Sequence, residues 1–256
     1  MPAEWTTLAH LFDEINRSFI DYEGQVGFLL ECAERFLPRL RSALDLGCGT
    51  GRHARLLAER GIRTVGVDLS RRLLQQGRKT VEACGPQPRL VCGDLAALPF
   101  RSRFDLVYAL NFVVSFLHTN EALLNALREA RRVLSPRGLF AMDYHCYFPP
   151  EADMKLREGW TEDCVVRGRR LVVTHDPTVD WNTQLCTDEM TYRFIEGRKV
   201  VREVRTTEVR RISLPQDLAC ILQAAGFEVV THCRRFDLDA KPEETGALVA
   251  RRARRG

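Results

Sequence analysis

Long apolar runs, paired cysteines and lysines are what this 256-residue chain has little of. No apolar stretch approaches the ~18 residues that a membrane-crossing helix needs. The opening segment MPAEWTTLAH lacks the basic-then-apolar layout of a secretory signal, so a cytoplasmic location is expected. Nine cysteines (Cys32, Cys48, Cys84, Cys92, Cys146, Cys164, Cys186, Cys220 and Cys233) contain no C-x-x-C pair and are odd in number. They read as reduced thiols, mostly buried as small apolar side chains, and offer no metal-ligand spacing. Lysine is confined to Lys79, Lys155, Lys199 and Lys241; the other cations are arginine. The formal net charge of +4 is matched by Arg251, Arg252, Arg254 and Arg255 alone. Elsewhere bases and acids interleave, giving solvated faces rather than the basic stripe of a nucleic-acid binder.

What remains is an ordinary globular balance, 45% hydrophobic and 28% charged, with length enough for one large α/β domain. Leu8, Leu11, Phe12, Ile15 and Phe19 recur at helical spacing, and a second helix is expected from Tyr22 to Leu37, ahead of Pro38. Strands and helices then alternate. "SALDL", "RTVGVDLS", "RLVCGD", "FDLVYAL" and "GLFAMDYH" read as five strands. Between them lie helices with Ala54, Leu57 and Ala58, with Leu73, Leu74, Gly77 and Val81, and with Leu123, Leu127, Ala130 and Leu134 on one face. Ser70 and Asn120 are the expected caps, and Ser135-Pro136-Arg137-Gly138 breaks the third helix. This rhythm predicts a parallel sheet covered on both faces.

The pattern then changes. "CVVRGRRLVVTHD", "QLCTDEMTYRFIEG" and "KVVREVRTTEVRRI" alternate apolar and polar residues, an antiparallel insertion with a tight turn at Glu196-Gly197. Ser213 and Gln216 form a capping-box pair around Pro215, opening a helix that Gly226 ends. "FEVVTHC" and "GALVARRA" close the chain as two more strands.

The segment "SALDLGCGTG" carries the chemistry. A strand turning sharply into a helix directs backbone N–H groups and the positive helix end at one spot. Glycine is needed there wherever a ligand lies on the main chain, and Gly47, Gly49 and Gly51 stand at alternate positions. A dinucleotide fingerprint wants a small sixth residue, where this chain has Arg52; a P-loop wants a Lys after its last glycine. G-x-G-x-G suits a nucleotide-type cofactor without a diphosphate, at the carboxyl end of the first strand. Asp68 ends the second strand, 21 residues after Gly47, where a carboxylate can accept both hydroxyls of a ribose. Asp94 follows the third strand, placed to take an adenine amino group while the Leu95 N–H reaches a ring nitrogen.

With these residues in this order the sequence resembles the class I S-adenosylmethionine-dependent methyltransferases. "ALDLGCGTG", "VGVDLS", "CGDLAALPF" and "FDLVYALNF" look like the family's four successive motifs. "ARRVLSPRGLFAMDYH" and "LACILQAAGFEVV" look like its later helix–strand pairs. The resemblance implies an α/β, Rossmann-like doubly wound sheet of seven strands, the last antiparallel, with an antiparallel β insertion after strand 5. It divides a single methyltransferase domain, 1–256, into lid helices (1–40), a cofactor-binding core (41–145), the insertion (160–212) and a closing helix with strands (213–251). The insertion is similar to that of the family's small-molecule branch, which includes sugar-amine N-methyltransferases.

By position, the resemblance implies that Asp45 and Gly47 hold the methionine end of S-adenosyl-L-methionine, with Cys48 between them and Gly49. Gly49 and Gly51 then allow close approach, Asp68 with Leu69 meets the ribose, Asp94 with Leu95 reads the adenine, and the carbonyl near Ala109 adds a contact. S-adenosyl-L-homocysteine is the implied product. Acceptor-side candidates are Asn111, His118, Asp143, Tyr144, His145 and Tyr147, with His145 the preferred general base, Tyr144 a second catalytic candidate, and Tyr144, Tyr147 and Phe148 as an aromatic wall. The expected activity is methyl transfer to N or O of a small molecule by in-line displacement, proximity and orientation contributing much of the acceleration. RNA or protein as acceptor, a non-catalytic nucleotide-binding module, and an NAD-linked oxidoreductase are the competing readings, the last disfavoured by Arg52. No membrane partner is expected, and the chain is expected to be a monomer or homodimer.

Overall fold

The protein was analysed as a computed structural model that describes residues 8–81, 86–145, 158–242 and 245–253; the side chains of residues 80, 81 and 145 also fall outside the description. Two helices lead, α1 (Phe12–Arg17) and α2 (Tyr22–Phe36). The alternating core follows: β1 (Ser42–Leu46), α3 (Arg52–Glu59), β2 (Arg63–Asp68), α4 (Arg71–Val81), β3 (Arg89–Cys92), β4 (Phe104–Ala109), α5 (Asn120–Val133) and β5 (Leu134–His145). Four strands without helices come next, β6 (Trp160–Val166), β7 (Arg169–Asp180), β8 (Leu185–Glu196) and β9 (Lys199–Arg211). Helix α6 (Pro215–Ala224), β10 (Phe227–Arg234) and β11 (Thr245–Arg252) complete the chain.

The large sheet has the order β10-β11-β5-β4-β1-β2-β3. Strand β11 runs antiparallel to both β5 and β10; the other pairings are parallel. The expected fold class is what the structure has. Strand order reverses between β1 and β4, and in such sheets the crevice outside the carboxyl ends at that switch point takes the ligand. Alternate residues face opposite sides, as the pleat requires. Leu44, Val107, Phe140 and Leu248 pack with α5 and α6, whereas Ala43, Leu106, Tyr108 and Ala141 pack with α2 and α3.

Local chemistry sets the boundaries. Asp21 caps α2 by accepting the Gly24 N–H at 2.9 Å, and Ser70 Oγ accepts the Leu73 N–H at 3.2 Å. The cap of α5 is Thr119, not Asn120: its Oγ1 accepts the Ala122 N–H at 3.1 Å. The capping box expected at α6 is absent; Leu214 is the N-cap, and Ser213 Oγ instead accepts from Arg211 Nε at 3.1 Å. Strand β5 starts at Leu134 rather than Gly138, because the Ser-Pro-Arg-Gly stretch continues the strand through a register shift opposite Phe104 and Leu106. A bulge of this kind accommodates proline within a sheet.

The second sheet has the order β6-β7-β8-β9, every pair antiparallel. The first of its three sequence segments is two strands, since Arg167 and Gly168 both take positive φ (52° and 74°) and turn the chain sharply between β6 and β7. The inner face of this sheet carries Leu171, Val173, Met190, Tyr192 and Phe194, which bury Leu8, Leu11 and Ile15 of the leading segment. Among the described residues, no helix is long and apolar enough to cross a membrane.

Candidate active site

The corner between β1 and α3 shows what its glycines do. Gly47, Gly49 and Gly51 have φ of +70°, +57° and +79°, a region that residues with a Cβ enter only at a cost. A Cβ on Gly47 would stand 2.6 Å from Val113, and one on Gly51 would stand 2.7 Å from Leu90. Conformation and packing thus account for these two without any ligand. Gly49 differs, because its missing side chain would meet nothing nearer than Phe12 of α1 at 3.4 Å, with Leu73 at 4.0 Å, on the cleft side. The loop N–H groups are also engaged internally. Those of Gly47 and Cys48 go to the Val67 carbonyl, that of Gly51 to the Cys48 carbonyl, and that of Gly49 to Asp68. These four N–H groups are thus satisfied within the protein.

The acids stand around this corner. Asp45, 2% exposed, leaves Oδ2 without a hydrogen-bond partner among the described residues, and burial holds its carboxyl well above the ordinary carboxylate range. Asp68 accepts the N–H groups of Gly49 (2.8 Å) and Ser70 (2.7 Å); burial raises its carboxyl, and those two bonds oppose the rise. Asp94 is exposed after β3 and accepts the Ala96 N–H at 2.9 Å. Leu69 lies between them, an apolar side chain left 54% exposed at the lip. Arg52, at the start of α3, passes over the Tyr22 ring at 5.3 Å and keeps a buried Nε without a partner among the described residues. Burial lowers the pKa of its guanidinium.

A polar chain holds the loop after β4. Asn111 and Phe112 both have φ of 62°, and their N–H groups donate to Asp143 at 3.0 and 2.8 Å. Arg235 donates Nε to Asp143 and Nη2 to Asn111 Oδ1, each at 2.8 Å, and lies over the rings of Phe112 and Phe236. Gln25 donates to the same Asn111 oxygen at 2.9 Å. Its own Oε1 lies 2.6 Å from His53 Nε2. Burial drives the His53 pKa down to about 3, with the positive charges of Arg235 and Arg52 adding to the effect, so the neutral ring donates that bond.

One cleft of about 440 Å³ joins these groups to the small sheet. Its lining includes Asp45, Gly47, Cys48, Gly49, Asp68, Leu69, Asp94, Leu95 and Asn111 from the sequence-derived set. Gly51 and Ala109 do not line it; the first caps α3 and the second is buried at the end of β4. Of the catalytic-side candidates with described side chains, neither Tyr144 nor His118 lines it. Tyr144 is 1% exposed in the core, where its hydroxyl meets His232 Nε2 and lies against Gly246. His118 is exposed, its Nε2 2.9 Å from the Val209 carbonyl. The side chain of His145, together with Tyr147 and Phe148, falls outside the described residues. The far wall is one that residue-by-residue reading missed: Trp160, Glu162, His175, Met190, Glu208 and Arg210, all on β6–β9.

With this geometry in hand, comparisons with known proteins show what the chain is similar to. A family model described as a methyltransferase domain matches residues 43–138, from β1 into β5. It is 38% identical over 144 residues to the malonyl-[acyl-carrier protein] O-methyltransferase of Halorhodospira halophila, an alignment covering 52% of this chain and 45% of the relative. It is 23% identical over 209 residues to the dTDP-4-amino-2,3,4,6-tetradeoxy-D-glucose N,N-dimethyltransferase of Saccharopolyspora spinosa, covering 81% and 79% of the two chains. The chain spans about half the length of the first curated relatives it matches (45% and 47%). Among solved structures, an S-adenosylmethionine-dependent methyltransferase from Clostridium acetobutylicum superposes with a TM-score of 0.81 at 19% identity, covering 98% and 99% of the chains. DesVI of Streptomyces venezuelae does so at 0.78 and 21%, covering 95% and 97%. These likenesses concern the fold, which this chain shares with those two proteins beyond the matched core.

Proposed function

We propose that the chain is an enzyme that transfers the methyl group of S-adenosylmethionine to a small-molecule acceptor. The observation that carries this reading is the single cleft in which the glycine corner, Asp68 and Asp94 face the inner surface of the β6–β9 sheet. A volume of about 440 Å³ lies within the range of small-ligand sites.

The residues present fit the cofactor. Among the described residues Asp45 has a buried oxygen with no hydrogen-bond partner, suited to an ammonium group, and Arg52 a buried Nε without one, suited to a carboxylate. An amino acid end carries both charges. Asp68 retains lone pairs beyond its two backbone bonds for a ribose diol. Asp94 and the Leu95 N–H suit an adenine edge, and exposed Leu69 suits its apolar face. When bound, S-adenosylmethionine supplies an electrophilic methyl group. The protein's part is to align an acceptor lone pair with it and to exclude water. Thr50 donates to Asp13 and Phe12 covers Gly49, so α1 forms part of the enclosure over the corner. By its name the Saccharopolyspora spinosa relative methylates a nucleotide-linked amino sugar, and a small acceptor for this chain is in keeping with that.

Isothermal titration with S-adenosylhomocysteine is the direct test. One site per chain is expected; absence of heat, with no rise in melting temperature at saturating ligand, removes the reading.

A further inference from the structure

The inner face of the small sheet changes character along its length. Residues Leu171 and Val173 of β7 lie opposite Phe194 and Tyr192 of β8, an apolar set that packs the leading segment. Two residues beyond Val173 on β7 stands His175, opposite Met190, and four residues beyond Tyr192 on β8, in the same phase, stands Asp188. His175 is 8% exposed and places Nδ1 2.7 Å from Asp188 Oδ2. Trp160, directly opposite on β6, stacks on the imidazole at 4.1 Å and 6°. Glu208 of β9 is directly opposite Asp188 and 1% exposed, with Arg210 paired to it.

A sheet that needed only to be covered would carry apolar residues here. Two carboxylates face each other across β8 and β9, an arrangement that destabilises a strand pair on its own. Two buried atoms of the cluster, His175 Nε2 and Glu208 Oε2, have no hydrogen-bond partner among the described residues. Glu162 Oε2 stands 3.7 Å from that Nε2, too far for a hydrogen bond. Unpartnered buried polar atoms are uncommon in folded proteins and call for a reason. His175, Glu162, Glu208 and Trp160 all line the cleft shared with the glycine corner.

We propose that this cluster is the acceptor site, that the acceptor is an amine, and that His175 is its general base. The proposal rests on the methyltransferase reading above and adds the acceptor class and a catalytic residue. The carboxylates of Glu162, Asp188 and Glu208 outnumber the Arg210 guanidinium and draw an ammonium group into the inner end of the cleft. His175 Nε2 accepts one proton from that nitrogen; the N–H electron pair stays on nitrogen as its lone pair. Nitrogen then bonds the methyl carbon supplied by the cofactor, and the electrons of the broken methyl–sulfur bond remain on sulfur. The imidazolium returns its proton to solvent when product leaves. Asp188 is a positioning residue: it holds the proton on Nδ1, so that Nε2 presents the lone pair.

Among the described residues, the charged groups facing His175 are Glu162 on β6, Asp188 on β8, and Glu208 with Arg210 on β9. Burial alone would lower the imidazole pKa, but Asp188 and Glu162 outweigh it and the net direction is upward from 6.5. Because the neutral ring is the active form, turnover rises with pH through this raised value.

The test uses the full chain with isotope-labelled methyl donor and a probe set of nucleotide-linked amino sugars, free amino sugars and primary amines, with the matching hydroxy compounds as a second arm. S-adenosylhomocysteine titration is run first on every variant, so that loss of cofactor binding, which overturns the underlying reading, is distinguished from failure of the acceptor site. Expected are label on the nitrogen of an amine probe and cofactor affinity of His175→Gln unchanged from wild type. At pH 7.5, kcat should fall by at least about 100-fold in that variant. Asp188→Asn, nearly isosteric, should move the rising limb of the kcat profile to lower pH. Histidine-labelled protein gives a readout without turnover: the resonance missing from His175→Gln should titrate above 6.5 in wild type and lower in Asp188→Asn. Label on oxygen or carbon, no labelled probe from a chain that binds S-adenosylhomocysteine, an undiminished His175→Gln, or an unmoved titration in Asp188→Asn each overturns the proposal.

Discussion

Asp68 Oδ2 accepts the N–H of Gly49 at 2.8 Å, so the carboxylate proposed for the ribose also fixes the glycine corner beside it. Its second oxygen accepts the Ser70 N–H at 2.7 Å, tying the same side chain to the start of α4. Replacing it removes two charge-assisted bonds and the ribose acceptor together. Asp68→Ala should weaken S-adenosylhomocysteine binding by roughly 100-fold, about the worth of one or two hydrogen bonds to a charged group. Asp68→Asn keeps one acceptor oxygen and should retain part of the affinity. Calorimetric titration of both variants checks this; unchanged affinity in Asp68→Ala removes the ribose assignment.

Asp45 yields a prediction of opposite sign for stability and for binding. Burial raises its folded carboxyl above the unfolded value, so the native chain holds the proton more tightly than the unfolded chain does. Stability then falls as pH rises through that raised value, because the native state must keep a buried charge. Binding runs the other way: the ionised carboxylate attracts an ammonium group, and affinity falls as pH drops through the same range. Asp45→Asn should therefore melt at a higher temperature than wild type at neutral pH without ligand. It should bind S-adenosylhomocysteine weakly, with little pH dependence between pH 5 and 8. Melting curves and titrations across that interval check both halves.

The three glycines of the corner should separate experimentally. Gly51→Ala forces a Cβ into left-handed backbone 2.7 Å from Leu90, at a position outside the cleft. It should lower stability by roughly 1–2 kcal/mol from conformation alone, and more from the contact. Gly47→Ala meets Val113 at 2.6 Å and should behave similarly. Gly49→Ala bears the same conformational cost without a close contact, so its loss of cofactor affinity should exceed that of Gly51→Ala relative to the stability each loses. Thermal melts paired with titrations on the three variants give that ratio.

The core was legible because each of its signals is local. Strand–helix alternation, a glycine-rich corner and acids ending β2 and following β3 are each contained in about ten residues, and the cleft brings Asp45, Asp68 and Asp94 together. The far wall was not legible by the same means, since Trp160, His175, Asp188 and Glu208 lie on four strands and meet only through pairing register. A signal was nonetheless present. His175 falls in phase with Leu171 and Val173, and Asp188 with Met190 and Tyr192, so each stands where the alternation calls for an apolar residue. The closing basic residues led elsewhere for a related reason. Arg251 is paired with Glu228 across β10 and β11, and Arg252 donates to the Leu134 carbonyl, so neither is an uncommitted charge; residues 254–256 lie outside the described segments.

Asp143 anchors the loop that begins at Asn111, which makes it a test of how cleft and fold are coupled. It is fully buried, and burial raises its carboxyl against the opposing pull of Arg235 and two backbone N–H groups. Removing the carboxylate leaves Arg235 without its closest charge and frees two N–H groups of residues held at positive φ. Breaking a buried pair from one side costs roughly 3–5 kcal/mol, and the 21% exposure of the Arg235 side chain moderates the figure here. Asp143→Ala is expected to lose about 2–3 kcal/mol by denaturant melts. Asp143→Asn keeps an oxygen for one N–H and should lose less. Both changes loosen Asn111 and Phe112, which line the cleft, so S-adenosylhomocysteine affinity should fall with stability in the same order. A variant that lost stability but bound the ligand as wild type does would show that the corner and the acids hold the cofactor without this loop.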